Sequence, residues 1–140
     1  MPRPKTFDEA EVLSLAAQCF WRRGYTATSM KDLERETGLA PGSLYNAFGS
    51  KDELFLRALD YYIEVIVEKR VSRYLSDDEP IAGLEAYFLD SFRNEPGEVE
   101  FGCLLVNTTI ELGPHSEAIR CKVAEALSDA EQGILKAVCR

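Results

Sequence analysis

The sequence has one histidine in 140 residues, and its four cysteines include no Cys-x-x-Cys pair. Cys19, Cys103, Cys121 and Cys139 lie too far apart along the chain for the usual zinc ligand spacing, so no metal site is expected. There is no phosphate-cradling glycine loop and no Gly-x-Ser-x-Gly elbow, so neither a cofactor nor an enzymatic activity is expected. No apolar run approaches the length of a membrane span, and Met1-Pro2-Arg3-Pro4-Lys5 is not followed by the apolar stretch of a signal peptide. These absences predict a cytoplasmic chain without a membrane partner, whose thiols are reduced and mostly buried. No segment alternates with period two and no repeat occurs, which excludes a sheet protein and predicts an all-α fold.

What is present is acidity, unevenly spread. The net charge is −8. Residues 1–50 hold six basic and six acidic side chains, so the whole excess lies in residues 51–140. A strongly acidic chain is a poor candidate for nucleic acid, but the field that matters acts within a Debye length, about 10 Å at moderate salt. A neutral N-terminal head carrying Arg3, Lys5, Arg22, Arg23, Lys31 and Lys51 can still face phosphates. The acidic remainder suppresses indiscriminate binding.

That head has a legible plan. Thr6-Phe7-Asp8-Glu9 is a capping box that opens a first helix. Leu13, Ala16, Ala17 and Phe20 form its stripe, Arg22 and Arg23 suit its negative end, and Gly24 closes it. Tyr25 turns back into the core. A second helix starts at Thr28 or Ser29, faces Met30, Leu33 and Thr37 inward, and ends at Gly38, where a left-handed residue is cheap. Leu39 is an apolar plug. A third, short helix covers Ala40 to Phe48, with Pro41 in its first turn and Leu44 and Phe48 buried. Gly42, Ser43, Tyr45 and Asn46 remain on its open face, where hydroxyl and amide groups can bond phosphates or base edges. Ser50-Lys51-Asp52-Glu53 is a second capping box, opening a helix that runs to about Leu75, roughly 37 Å at 1.5 Å per residue. Lys51 opposes the dipole of that helix, which a phosphate bound at the N-terminus would justify. Helix, glycine turn and short second helix is the build of a DNA-reading element; a plain helical hairpin is the bland alternative. The arm Arg3-Pro4-Lys5 reads equally as a frayed terminus or as a groove contact.

Beyond Ser76–Pro80, Ile81, Leu84, Tyr87 or Phe88, and Phe92 keep helical spacing. Asn94–Glu98 is a loop by composition, and Cys103–Leu112 is an apolar helix closed by Gly113-Pro114. A last helix opens at His115-Ser116-Glu117, with Ile119, Val123, Ala126, Leu127, Ala130, Ile134 and Val138 on one face. Tyr61, Tyr62, Tyr87, Phe88, Phe92, Cys103 and Asn107 either line a small-molecule pocket or, in the case of the aromatics, fill an ordinary core.

The segments Ala17–Tyr25, Thr28-Ser29-Met30, Thr37-Gly38-Leu39, Gly42–Phe48 and Ser50–Phe55 together resemble the DNA-binding domain of the TetR family of transcriptional regulators, over roughly residues 8–58. Gly102–Asn107 with Glu111-Leu112 resembles a stretch of the ligand-binding part in one branch of that family. The resemblance implies a three-helix head with Pro41 to Phe48 as recognition helix, and DNA contacts from Thr28, Ser29, Pro41, Gly42, Ser43, Tyr45, Asn46 and Lys51. It implies a long helix leading from the head (1–50) into a helical regulatory body (51–140), which holds an inducer and forms a homodimer on a palindromic operator. Three positions depart from the family pattern: Glu34 and Thr37 stand where alanine is usual, and Asn46 where histidine is common. Glu34 is expected to tilt outward, and base preference does not transfer through Asn46. The resemblance also implies further dimer-forming helices after Arg140. From this follows the expected function, a repressor released from DNA by a small molecule, and its alternative, a helical ligand-binding or interaction module that does not bind DNA productively. A narrower expectation makes Cys103 a sensing thiol.

Overall fold

A computed structural model of the chain describes residues 7–75, 79–91, 93 and 101–139. The basic arm, Thr6, Phe92 and the Asn94–Glu98 loop therefore lie outside the described residues. Packing divides the chain into two compact units, residues 1–62 and 63–140. Every regular element among the described residues is helical.

The first unit holds α1 (Glu9–Arg23), α2 (Met30–Thr37), α3 (Pro41–Phe48) and α4 (Lys51–Tyr62). The first helix is capped by Asp8, whose carboxylate accepts the Ala10 N–H, so the cap falls two residues later than Thr6. An aspartate offers a charged acceptor that a threonine hydroxyl does not. Val12, Ala16, Ala17, Cys19 and Phe20 line the buried face of α1, and Leu54, Phe55, Ala58, Leu59 and Tyr62 that of α4. The Phe20 and Phe55 rings meet edge to face at 4.9 Å, and Tyr25 joins them at 5.0 Å from Phe55, as its position after Gly24 predicted. Trp21 packs edge to face on Tyr62.

In α2, Ser29 is the cap, and the box is reciprocal: the Asp32 N–H donates to the Ser29 hydroxyl, while the Asp32 carboxylate accepts the Ser29 N–H. Leu33 is fully buried, whereas Met30 and Thr37 are half-buried. Gly38 takes the left-handed conformation at φ 69°, where a side chain costs about 1 kcal/mol or more. The Thr37 hydroxyl donates to the Leu33 carbonyl and accepts the Leu39 N–H, so threonine has bonding partners at a position where alanine is usual. Glu34 is half-buried rather than fully outward.

The second unit begins with a π-helical turn, Ile63–Glu68, followed by α5 (Lys69–Leu75), α6 (Pro80–Asp90), α7 (Leu104–Leu112) and α8 (Glu117–Val138). The expected helix from Lys51 to Leu75 thus changes its hydrogen-bond register at Ile63 and again at Lys69. Arg70 donates to the Asp90 carboxylate at 3.1 Å, and the Tyr74 hydroxyl donates to the other Asp90 oxygen at 3.1 Å, fastening α6 to α5. Gly83 lets the two helices touch, since a Cβ there would run into the Tyr74 carbonyl oxygen. Gly133 does the same for α8, where a Cβ would lie 2.7 Å from Val71.

The apolar face expected of α8 is buried only in part. Ile119, Val123 and Ala126 are enclosed, together with Ala137, but Leu127 is 41 % and Val138 63 % exposed. The thiols differ from expectation too: Cys19 is buried and Cys103 half-buried, but Cys121 and Cys139 are exposed. Periodicity identified the face of α8, not how much of it a neighbour covers. Among the described residues no helix is long and apolar enough to cross a membrane.

Candidate nucleic-acid interface

Helix α3 is eight residues long, too short to be stable alone. It is fixed by Leu44 and Phe48, both buried, by the Gly38 turn before it and by Gly49 after it. Proline at its first position replaces an amide that would have no partner in the helix. The opposite face carries Gly42, Ser43, Tyr45 and Asn46, all exposed. Tyr45 is 49 % exposed. A Cβ added at Gly42 would meet nothing within 4 Å. The sequence thus placed these four residues on one open face, and the structure has them there.

The residues before α2 are arranged differently. Thr28 is 0 % exposed, and its hydroxyl donates to the Gly24 carbonyl at 2.6 Å. Its side chain is therefore enclosed in the core and not on the surface where a DNA contact was expected. Ser29 is exposed, but its hydroxyl donates to Asp32 at 2.6 Å while accepting the Asp32 N–H, so its one proton is committed. The Ser29 bonds hold the Asp32 carboxyl well down, at about 2. Burial pushes the Cys19 thiol up.

Lys51 stands in the first turn of α4 with its ammonium 4.2 Å from the centroid of the Tyr25 ring. The aromatic face supplies an intramolecular reason for a cation at that end of a helix. Of the other basic residues expected to face phosphates, Arg22 pairs with Glu36 at 2.7 Å and Arg23 with Asp32 at 3.0 Å. Asp32 also takes Arg35 at 2.6 Å. Sequence counting found this head neutral but did not show which charges meet; Arg23 and Asp32 are nine residues apart.

The residues expected to line a pocket are divided between the two units. Tyr61 and Tyr62 belong to the first unit, where Tyr62 is buried against Trp21; Tyr87, Phe88, Cys103 and Asn107 belong to the second. Phe88 is half exposed, Cys103 caps α7 by its backbone, and the Asn107 amide donates to the Phe101 carbonyl at 2.7 Å. Phe92 lies outside the described residues. A shallow groove of about 300 Å³ runs elsewhere in the second unit, lined by Val71, Ser72, Leu75, Asp129, Gln132, Gly133 and Lys136. Among the described residues no cluster of three metal-ligating side chains occurs.

Residues 12–58 match the model of the bacterial regulatory proteins of the tetR family. The crystal structure of a TetR transcriptional regulator from Chloroflexus aurantiacus J-10-FL superposes with a TM-score of 0.75 at 31 % identity, over 93 % of this chain and 67 % of that one. The chain belongs to the TetR family. Within the family it is 29 % identical to the HTH-type transcriptional repressor ComR of Escherichia coli K12, over 99 % of this chain and 67 % of that protein. It is equally similar, with a TM-score of 0.81, to a cysteine-substituted form of the TetR regulator CifR complexed with 26-base-pair operator DNA, covering 99 % of this chain and 73 % of that one. This TetR-family chain spans about two thirds of the length of the curated relatives it matches. Those relatives are transcriptional regulators, which disfavours the alternative of a helical module that has given up DNA.

Proposed function

We propose that the chain is a DNA-binding transcriptional repressor that reads double-stranded operator DNA with α3, and that a small-molecule inducer releases it. The observation that carries this reading is the two-sided build of α3. Leu44 and Phe48 anchor it, while Gly42, Ser43, Tyr45 and Asn46 stand together in solvent. The operator complex of CifR, a relative of the same fold, supports the choice of partner. Ser43 and Asn46 supply donors and acceptors for base edges in the major groove, and the Tyr45 hydroxyl reaches the backbone. Pro41 opens the helix without an N–H, and Gly42 beside it lets the backbone come close to the duplex. Lys51, steadied over Tyr25, sits where the first amides of α4 can meet a phosphate.

One helix of this size gives weak binding, so the reading includes a homodimer on a palindromic operator, its half-sites about 34–36 Å apart or a multiple of that. It also places the protein in the cytoplasm, with the chromosome. The division of labour is a DNA head in residues 1–50 and a regulatory body in residues 51–140, with the inducer bound by the second. Release by an inducer requires that it favour one of two conformations, since equal affinity for both shifts nothing.

The test is fluorescence anisotropy with a duplex selected from a randomised library. Tyr45→Ala and Lys51→Ala weaken binding to all sequences, whereas Ser43→Ala and Asn46→Ala relax preference at individual base pairs, by about 1–3 kcal/mol each. If no sequence is enriched over the random pool at any salt concentration, the reading is wrong.

A further inference from the structure

We infer that Asp32 and Glu36 form a charge lock that limits how strongly the head is drawn to DNA of any sequence, an inference that rests on the function proposed above. Three of the four basic residues within residues 7–50 end on these two carboxylates of α2. Arg22 meets Glu36, and Arg23 and Arg35 share one oxygen of Asp32. The other Asp32 oxygen accepts both the N–H and the hydroxyl of Ser29, so the carboxylate is tied to the start of α2 and cannot swing away. Its side chain is 15 % exposed, whereas Arg35 is 62 % exposed. The cations lie outermost and their counter-charges beneath them.

Three guanidiniums over two carboxylates present a single net positive charge to anything about a Debye length away, roughly 10 Å at 0.1 M salt. Arg23 is held at the carboxylate that caps Ser29, at the N-terminal end of α2. Sequence-independent attraction to a duplex comes from cations that displace condensed counterions. In this head most of them are already neutralised, leaving recognition to the uncharged donors of α3. Asp32 and Glu36 are therefore specificity-determining: they lower affinity for random DNA without touching a base.

The experiment uses the full chain and a short duplex of random sequence, with anisotropy measured across salt concentrations. Glu36→Gln frees Arg22. Its affinity rises at low salt, and the gain shrinks about 3.5-fold between 50 and 200 mM for one freed contact. Asp32→Asn frees two arginines and steepens the salt dependence further. Glu34→Gln removes the same charge from α2 without releasing an arginine, so it gives a smaller rise with an unchanged slope. Arg22→Gln alone gives only a small fall with an unchanged slope, the mirror of Glu34→Gln, whereas in the Glu36→Gln background it cancels the larger gain together with its salt dependence. The lock is overturned if Glu36→Gln and Glu34→Gln behave alike, or if Arg22→Gln costs the same affinity in both backgrounds. Should Asp32→Asn lose helical structure with its cap, Glu36→Gln decides alone, because Glu36 caps no helix. A wild-type chain that enriches no sequence from a randomised library overturns the proposed function, and the lock with it. Enrichment without a difference between the two glutamine variants overturns only the lock.

Discussion

Replacing Gly42 by alanine separates folding from DNA recognition in opposite directions. Gly42 lies in the first turn of α3, and a Cβ there meets no atom within 4 Å. The methyl group creates no clash inside the protein, and alanine in a helix is favoured over glycine by about 0.5–1 kcal/mol. Gly42→Ala therefore raises the melting temperature, by a few degrees for a chain of this size. At the proposed interface the same methyl group occupies the space that lets the α3 backbone approach the duplex. A steric cost like that of overpacking, about 1–3 kcal/mol, lowers operator affinity roughly 5- to 150-fold. Differential scanning fluorimetry and operator anisotropy on one preparation give both values. Wild-type affinity in Gly42→Ala would remove this position from the interface. A lower melting temperature would refute the packing around α3 itself.

Four further outcomes follow from the described packing. Leu44→Ala empties a fully buried site and costs about 2–5 kcal/mol, read in urea unfolding, with loss of operator binding through loss of α3. Gly83→Ala pushes a methyl group into the Tyr74 carbonyl, a backbone atom that cannot step aside cheaply, and destabilises the second unit by about 1–3 kcal/mol. Gly38→Ala leaves that space free but strains the left-handed turn, costing about 1 kcal/mol. The Asp32 carboxyl is lowered from 3.8 to about 2 in the folded head, first by the Ser29 hydrogen bonds. Its stabilising effect is complete above pH 3.8 and disappears as pH falls through 2, so Asp32→Asn flattens the loss of helical circular dichroism across that window.

The head was the most legible part of the sequence, because local signals carry it. Glycine at positions 24 and 38, proline at 41 and Ser50 of the second capping box act within a few residues, and the structure places helix ends at all of them, whereas the first box gives way to a cap at Asp8. The open face of α3 followed from the four-residue spacing of Leu44 and Phe48. What sequence spacing could not supply was the partner of each polar group. Thr28 looked like an exposed cap residue, but its hydroxyl found the Gly24 carbonyl four residues back and left solvent. Arg22 and Arg23 looked free because their acidic partners lie on another helix. The aromatic residues suggested a pocket, and composition does not encode which helices would face one another to line it. The close crossings at Gly83 and Gly133 are read only from the folded chain, since a glycine within a helical pattern gives no local hint of what approaches it.

The π-helical turn at Ile63–Glu68 also matters for comparing this protein with others of its kind. Such a turn takes up about one residue more than the α-helical turn it replaces. A homologue can therefore lose or gain one residue here while the buried positions of α4 keep their places against α1. Alignments of relatives are expected to carry a one-residue gap among these six positions, and patterns extended from α4 into α5 without it will assign each side chain to the wrong face.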